Sequence, residues 1–322
     1  MLTLRQIYEL AIKKGIEADP RGKAGVAKYL ARQLREYQEL PEKQQKDFDK
    51  ESLKNPYADS RILLGKPDLK VDKIMAGIDI TSAEVTLAYL LNEKSPRKTI
   101  DLLLSHHPVG GGYAGLHEVM DLQVDMLANY GVPINVAEQI LHERVEEVQR
   151  SISPRNHNQT VDAARLLNFA LMCTHTITDN LVYKFLVKLF TQHEVDTVRE
   201  VMDLLLTVPE YREAKLGKAG PLIFAGSEKN RAGKVAPLEI TGGTEGSPQI
   251  YEKMAAAGIG TIVGMHASEE HRKECAKYHM NMVVAGHMSS DSLGMNLLLD
   301  ELEKKGIEIV VCSGLIRISR NK

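Results

Sequence analysis

The chain has 322 residues, of which 43% are hydrophobic and 26% are charged. This composition is typical of a soluble globular protein with one large domain or two ordinary ones. With 41 Lys and Arg against 43 Asp and Glu, the net charge is −2, which excludes a general electrostatic attraction to nucleic acid or anionic membranes. We expect no nucleic-acid partner and, because no apolar run approaches about 18 residues, no membrane span.

The three cysteines, Cys173, Cys275 and Cys312, are odd in number and far apart in the sequence. This pattern argues against a disulfide framework and favours a reducing compartment. The first residues lack the apolar stretch and the cleavage site of a signal peptide. The sequence therefore predicts a cytoplasmic protein.

Residues 1–56 are predicted to form a helical extension. Leu4 and Ile7 recur at helical spacing, and Val26 and Leu30 do so in a second segment. Asp19-Pro20-Arg21-Gly22 separates the two segments. We expect a small helical hairpin on the outside of the main domain.

Residues 57–322 are predicted to form an α/β domain, because strands alternate with helices from Val71 onward. The predicted strands are Lys73–Asp79, Thr99–Ser105, Phe169–Thr174, Leu222–Ala225, Val235–Thr241, Thr261–Met265, Met282–Ala285 and Ile307–Val311. The predicted helices are Ser82–Asn92, Leu116–Tyr130, Glu138–Gln149, Val161–Asn168, Leu181–Leu189, Asp196–Leu206, Pro248–Ala257, Glu269–His279 and Ser292–Lys305. This alternation predicts a largely parallel or mixed sheet.

Two adjacent histidines, His106 and His107, follow the apolar run that ends at Ser105, and Pro108 stops the strand. Side chains alternate between the two faces of a strand, but both can converge where the chain turns. The carboxyl edge of a parallel sheet is where ligands bind in open α/β proteins. Neutral imidazole is the commonest metal ligand, so the pair indicates a metal site.

Two further predicted strands end with ionisable residues. The first runs into His175 and Asp179, and the second runs into His287 and Asp291. In both segments the histidine and the aspartate are four residues apart, a spacing that places two groups on one helix face. At a junction between strand, loop and helix, the same spacing can direct both groups into one crevice.

We expect the helices after these strands to begin near Asn180 and Ser292. Each aspartate can therefore simply cap the following helix, and a lone histidine at a strand end is usually structural. The recurrence of the same residue types at three strand ends favours a shared site instead. Mixed imidazole and carboxylate ligation suits Zn²⁺, Mn²⁺ or Fe²⁺, and a carboxylate can bridge two such ions.

At these residues the chain resembles the Ngg-interacting-factor-three-like family, often labelled GTP cyclohydrolase 1 type 2. The resemblance covers about residues 57–322. The matching segments are Met75-Ala-Gly-Ile-Asp79, Ser105-His-His-Pro108, Thr174-His-Thr-Ile-Thr-Asp179 and Gly286-His-Met-Ser-Ser-Asp291. The order and spacing of the last three segments are a specific signal, whereas the first segment alone is a weak one.

The resemblance implies a dinuclear metal site. Its expected ligands are the histidine pair, a bridging aspartate, a late histidine and a final acidic residue, which fall on His106, His107, Asp179, His287 and Asp291. The family usually has glutamate at the last position, and the shorter aspartate reaches less far. His175 matches a position beside the site, where the resemblance implies a supporting or substrate-facing role rather than ligation.

The resemblance also implies two similar α/β lobes with the metals in the cleft between them, and a homo-oligomer that can be a toroidal hexamer. The mechanism that we expect is metal-assisted hydrolysis of an unidentified small molecule by a hydroxide that bridges two divalent ions. His175 would pass a proton to the leaving group.

Two alternatives to a hydrolase stay open at this point. One is a non-catalytic metal-binding scaffold or regulator, in which the metal site would be coordinatively closed. The other is a metal-free α/β binding module, which would make the three histidine-bearing strand ends coincidental.

A glycine-rich segment, Thr241-Gly-Gly-Thr-Glu-Gly-Ser-Pro248, lies between a predicted strand and a predicted helix. It can be a plain tight turn, or it can present backbone N–H groups to a phosphate. Its spacing matches neither a P-loop nor a dinucleotide fingerprint. The resemblance places it near the cleft, where His266 is a further candidate.

Overall fold

The computed structural model describes residues 1–95 and 99–321. The strands are β1 (Leu2–Thr3), β2 (Ile62–Leu64), β3 (Lys70–Val71), β4 (Lys73–Gly77), β5 (Leu102–Ser105), β6 (Ala170–Cys173), β7 (Leu222–Ala225), β8 (Lys234–Ala236), β9 (Ile259–Gly264), β10 (Asn281–Val284) and β11 (Glu308–Cys312). The α-helices are α1 (Leu4–Ala18), α2 (Gly22–Glu39), α3 (Glu42–Gln45), α4 (Ser82–Lys94), α5 (Gly110–Ala114), α6 (Leu122–Asn129), α7 (Ile134–Ile152), α8 (Gln159–Leu166), α9 (His175–Gln192), α10 (Val198–Leu205), α11 (Pro209–Leu216), α12 (Tyr251–Ala256), α13 (Glu269–Lys277) and α14 (His287–Glu303).

The first large sheet has five strands in the order β11-β4-β5-β6-β2. The first four are parallel, and β2 pairs antiparallel with β6 at the edge. All four residues of β5 are buried, because helices cover both faces of a parallel sheet and a buried strand is then apolar along its whole length. This sheet directs the ends of β5 and β6 toward the same edge.

The second sheet has four strands in the order β7-β10-β9-β8, of which only β7 is antiparallel. Both sheets therefore consist of parallel strands with one antiparallel edge strand. Helix α14 leaves β10 in the second sheet and leads to β11 in the first. The prediction of two similar α/β lobes with mixed sheets and an amino-terminal helical extension is confirmed.

The first two helices form as predicted, on either side of the break at Asp19–Gly22. A capping box between Thr3 and Gln6 begins α1. The position of α1 differs from the expectation, because its apolar side chains belong to the main core and not to an outer hairpin. At Gly15 an added Cβ would come within 3.1 Å of the Ile177 side chain, so α1 approaches α9 closely. The division at residue 56 stays a prediction.

Several predicted boundaries are wrong, and the helix starts matter most for function. Helices α9 and α14 begin at His175 and His287, about one turn before the expected starts. A polar first turn hides the apolar periodicity on which the prediction relied. Strand β8 is shorter than predicted because Pro237 follows it and cannot donate to the ladder. Among the described residues, no helix is both long and apolar enough to cross a membrane.

Candidate metal centre

Helices α9 and α14 bring the two His-and-Asp segments together. They start from β6 in the first sheet and β10 in the second, and they pack side by side. The contact is closest at Gly294, where an added Cβ would come within 2.4 Å of the Thr178 carbonyl oxygen. Glycine is required at such a close backbone approach. Because α9 begins at His175 and α14 at His287, Asp179 and Asp291 are each the fifth residue of their helix, and neither acts as an N-cap.

His106 is fully buried, and its hydrogen bond defines its tautomer. Its Nδ1 lies 2.8 Å from Thr178 Oγ1, and that hydroxyl donates its one proton to the carbonyl oxygen of Thr174 at 2.5 Å. The hydroxyl must then accept the Nδ1–H of His106. Because burial lowers the pKa of His106 to about 4, its Nε2 carries a lone pair at neutral pH.

His107 is held by a carboxylate that the sequence interpretation gave no role. Asp79 Oδ1 lies 2.8 Å from His107 Nδ1 and accepts its proton. A carboxylate on the outer nitrogen orients a metal-binding imidazole and leaves the other nitrogen for the ion. Burial would lower the pKa of His107, but Asp291 and Asp79 raise it to about 10. A proton on Nε2 balances the negative charge of Asp291 in the absence of a cation.

Asp291 is the carboxylate nearest to most of the imidazoles. Its Oδ1 lies 3.3 Å from His106 Nε2, and its Oδ2 lies 3.4 Å from His107 Nε2 and 3.6 Å from His287 Nε2. Burial would raise the pKa of Asp291, but His106 and His107 hold it well below its usual range. The shorter side chain therefore reaches the centre of the cluster.

Asp179 faces a different pair of imidazoles. Its Oδ1 lies 3.6 Å from His106 Nε2, and its Oδ2 lies 3.8 Å from His175 Nε2. Asp59 Oδ2 lies 2.8 Å from His175 Nδ1 and accepts its proton. Burial raises the pKa of Asp179 well above its usual value, so an isolated proton-free carboxylate is unfavourable there.

The donor atoms of this cluster fit a cation better than they fit one another. Among the described residues, the Nε2 of His106, the Oδ1 of Asp179 and both oxygens of Asp291 are buried without a hydrogen-bond partner. Buried polar atoms without partners are rare and costly, and a lone pair that faces a carboxylate is repelled by it. A positive ion among these atoms would satisfy all of them.

Three overlapping sets of side chains place their donor atoms within 4.8 Å of one another. The sets are His106, Asp179 and Asp291; His107, His287 and Asp291; and His106, His107 and His175. Two sets share Asp291, and two share His106. The structure thus gathers all six residues that the strand-end pattern singled out into one cluster.

The cluster lies at one side of a cavity of about 340 Å³. His107, His175, Asp179 and His287 all line this cavity, and the side chain of His287 is 39% exposed. His266, a further candidate from the sequence, also lines this cavity beside His287. Its ring is 4.7 Å from that of His287 between centroids, and its Nδ1 is 3.1 Å from Glu245 Oε1. A small molecule can therefore reach the cluster.

The sequence interpretation missed Asp59, Asp79 and Glu245, which orient His175, His107 and His266. Asp79 stands in a segment that matches the family, and its position just after a predicted strand could have drawn attention to it. Asp59 carries no comparable signal, because it lies in an irregular segment more than 100 residues from its histidine. Glu245 stands in the glycine-rich segment noted above, but that segment gives no sign of a contact with His266.

The fold is similar to the solved structure of a NIF3 superfamily protein from Sphaerobacter thermophilus, with a TM-score of 0.72. The two share 27% sequence identity over 80% of this chain and 92% of that chain. In sequence and fold, the chain is thus similar to a member of the NIF3 superfamily. This confirms the family resemblance that the sequence motifs carry.

Two other solved structures match with lower scores. Reduced HcgD from Methanocaldococcus jannaschii is 13% identical, with a TM-score of 0.49 over 84% of this chain and 94% of that chain. A protein from Thermus thermophilus is 14% identical, with a TM-score of 0.46 over the same shares. No protein-family model matches the chain, and no curated protein matches it.

Proposed function

We propose that this protein binds two divalent metal ions and uses them to hydrolyse a small molecule. The observation that carries the proposal is the set of buried, unpartnered nitrogen and carboxylate oxygen atoms at one side of an open cavity. Buried charges without partners destabilise a fold. Their retention beside a cavity is typical of a site that holds a cation.

In the proposed arrangement, His106, Asp179 and Asp291 hold one ion, and His107, His287 and Asp291 hold the other. This assignment follows the two sets of donor atoms that share Asp291. It makes Asp291 a bridging residue, whereas the family resemblance implies that role for Asp179. Zn²⁺, Mn²⁺ and Fe²⁺ all suit such nitrogen and oxygen donors.

Two bound ions would supply Lewis acidity that lowers the pKa of water from about 15.7 toward about 7 and stabilises charge on the reacting group. The cavity beside the cluster supports catalysis over a purely structural role, because a catalytic site needs an open position for water and substrate. His107 and His287 provide the exposed side of the cluster, while His106 and Asp291 close its buried side.

The surrounding residues fix where protons are held. Asp59 accepts the Nδ1–H of His175, so the Nε2 of His175 is the nitrogen left to exchange a proton within the cavity. In the same way, Asp79 accepts the Nδ1–H of His107. We propose that His175 transfers the proton to the leaving group, with Asp59 as its positioning residue.

Metal content per chain, measured by mass spectrometry, tests the proposal. The protein is purified without an affinity metal column and then dialysed against Zn²⁺, Mn²⁺ or Fe²⁺ in turn. About two ions per chain are expected, followed by hydrolysis in a screen of esters, amidines and phosphate esters. If no ion binds under any condition, the metal proposal fails. If two ions bind, but small anions do not compete for the site and no exchangeable water reaches the metal, the site is closed and the protein is a scaffold.

Self-association is part of the proposal. Helix α4 leaves three leucines, Leu87, Leu90 and Leu91, between 37% and 52% exposed on one side. An exposed apolar helix face supports contact with a second copy. Sedimentation analysis of the metal-loaded protein is expected to give an oligomer, with a hexamer as the specific expectation. A monomer at all concentrations would contradict this part of the proposal.

A further inference from the structure

The second wall of the cavity carries polar groups that the proposed metal centre does not use. Thr241, Gly243 and Thr244 of the glycine-rich segment line the cavity. Among the described residues, the backbone N–H groups of residues 242–245 donate no hydrogen bond within the protein. Backbone N–H groups nearly always have a partner, so these four are available to a ligand or to solvent. We call residues 241–245 the amide loop.

The carbonyl groups of the amide loop are fixed in direction. Gln123 Nε2 donates to the carbonyl oxygens of Gly242 at 2.8 Å and of Thr244 at 2.7 Å. In a trans peptide, the N–H of the next residue points opposite to the carbonyl. Gln123 borders a separate small pocket and is absent from the cavity lining. The N–H groups of Gly243 and Glu245 are therefore turned away from Gln123, and Gly243 borders the cavity.

The loop holds this shape through its glycines and its anchors. Gly242 and Gly243 have φ values of +90° and +87°, a region that side chains disfavour. Arg144 Nε donates to the Glu245 carbonyl oxygen at 3.2 Å. Thr241 Oγ1 donates to the Asn180 side chain at 2.7 Å, which ties the loop to the residue after Asp179. The N–H groups are thus preorganised close to the metal centre.

The same turn already binds one carboxylate of the protein. The N–H of Gly246, directly after the amide loop, donates to Glu239 Oε2 at 2.9 Å. Successive backbone N–H groups in such turns make anion-binding concavities. Glu239 also borders the cavity, and its engagement by Gly246 leaves the four preceding N–H groups unoccupied.

We propose that the amide loop binds a phosphoryl group of the substrate, so that the substrate is a small phosphate monoester whose reacting group lies at the metal centre. The phosphoryl group is bound and is not transferred. Its three terminal oxygens can accept hydrogen bonds from several N–H groups at once, which a planar carboxylate cannot do equally well. The inference rests on the proposed function for the reaction, but not for the binding.

Two substitutions of Thr244, one charged and one neutral, give the first test. Inorganic phosphate is titrated calorimetrically into the zinc-loaded parent, Thr244→Asp and its neutral match Thr244→Asn. Like charge in the loop should weaken phosphate binding at least about tenfold in Thr244→Asp, while Thr244→Asn stays within about threefold of the parent. Zinc content should be equal in all three. Equal binding in all three proteins would overturn the proposal.

A second variant separates the loop from the metal ions, since phosphate on zinc alone would also feel the charge of Thr244→Asp. Gln123→Met adds no charge and releases the carbonyls of Gly242 and Thr244. Phosphate binding should weaken about three- to tenfold, because the N–H groups lose their fixed direction. Unchanged phosphate affinity in Gln123→Met would assign the anion to the zinc ions and overturn the proposal.

Acetate is the second anion to be titrated, and it tests whether the loop prefers a phosphoryl group to a carboxylate. Acetate that binds as tightly as phosphate, with the same loss in Thr244→Asp, would make the loop a carboxylate site and overturn the phosphoryl assignment. If the parent binds no metal, the proposed function fails by itself. The two Thr244 variants are then titrated with phosphate in the metal-free state. A loss of phosphate affinity confined to Thr244→Asp still supports the loop site.

Discussion

Helices α9 and α14 begin with the same spacing of histidine and aspartate, yet their environments differ. His175 is buried and bonded to Asp59, whereas the side chain of His287 is 39% exposed and, among the described residues, accepts or donates no hydrogen bond. Burial raises the pKa of Asp179, while imidazoles hold that of Asp291 low. The comparison teaches that a shared local motif supplies the spacing, and residues from other elements decide the chemical role.

The largest expected effect separates the two aspartates. Asp291→Asn should lose both metal ions, because Asp291 approaches three imidazoles, whereas Asp179→Asn should lose one. Metal content after equilibrium dialysis checks this. The reverse result, with both ions lost in Asp179→Asn and one retained in Asp291→Asn, would return the bridging role to Asp179.

Substitutions of His175 and His287 should also have different effects. His175→Ala is expected to lower turnover about 100-fold or more with two ions retained, since a positioned acid or base contributes about 10²- to 10⁴-fold. His287→Ala is expected to lose an ion. Turnover and metal content are measured on the same preparations. Loss of metal from His175→Ala would make His175 a ligand, in agreement with its set with His106 and His107.

Asp79 tests whether the outer carboxylates matter as much as the ligands. Asp79→Ala should weaken metal affinity about 10- to 100-fold, because it releases the ring of His107. Glu93→Ala, which removes an exposed carboxylate from α4, is the matched control. Competition against a metal-binding dye measures both. Equal affinities in the two variants would show that His107 needs no outer partner.

The smallest effect concerns the metal-free protein and depends on pH. Because the folded-state pKa of Asp179 is raised, this residue destabilises the metal-free fold as the pH rises from about 4 through the raised value. Asp179→Asn should therefore stabilise it by about 1–3 kcal/mol at pH 8 and have little effect near pH 4. Urea unfolding with a chelator present measures the difference. A destabilised variant at pH 8 would show that the Asp179 carboxylate supports the fold.

Much of this architecture follows from the sequence. Continuous apolar runs such as the one before His106 predict buried parallel strands, and the alternation with helices predicts a largely parallel or mixed sheet. The division into two lobes is expected only from the family resemblance. The helix starts at His175 and His287 could not be predicted in the same way, because a polar first turn gives no apolar period. The role of Asp59 could not be predicted either, since its contact with His175 spans more than 100 residues.

The sequence by itself determined the fold class and the six candidate site residues at three strand ends, because hydrophobic pattern and residue type are local properties. Only the tertiary structure decided which contacts each of those residues makes. The packing of α9 on α14 sets which carboxylate approaches which imidazole, and Asp59 and Asp79 select the nitrogen that each histidine turns inward. Distances between distant segments control burial and electrostatic energy, and the order of residues along a chain does not contain them.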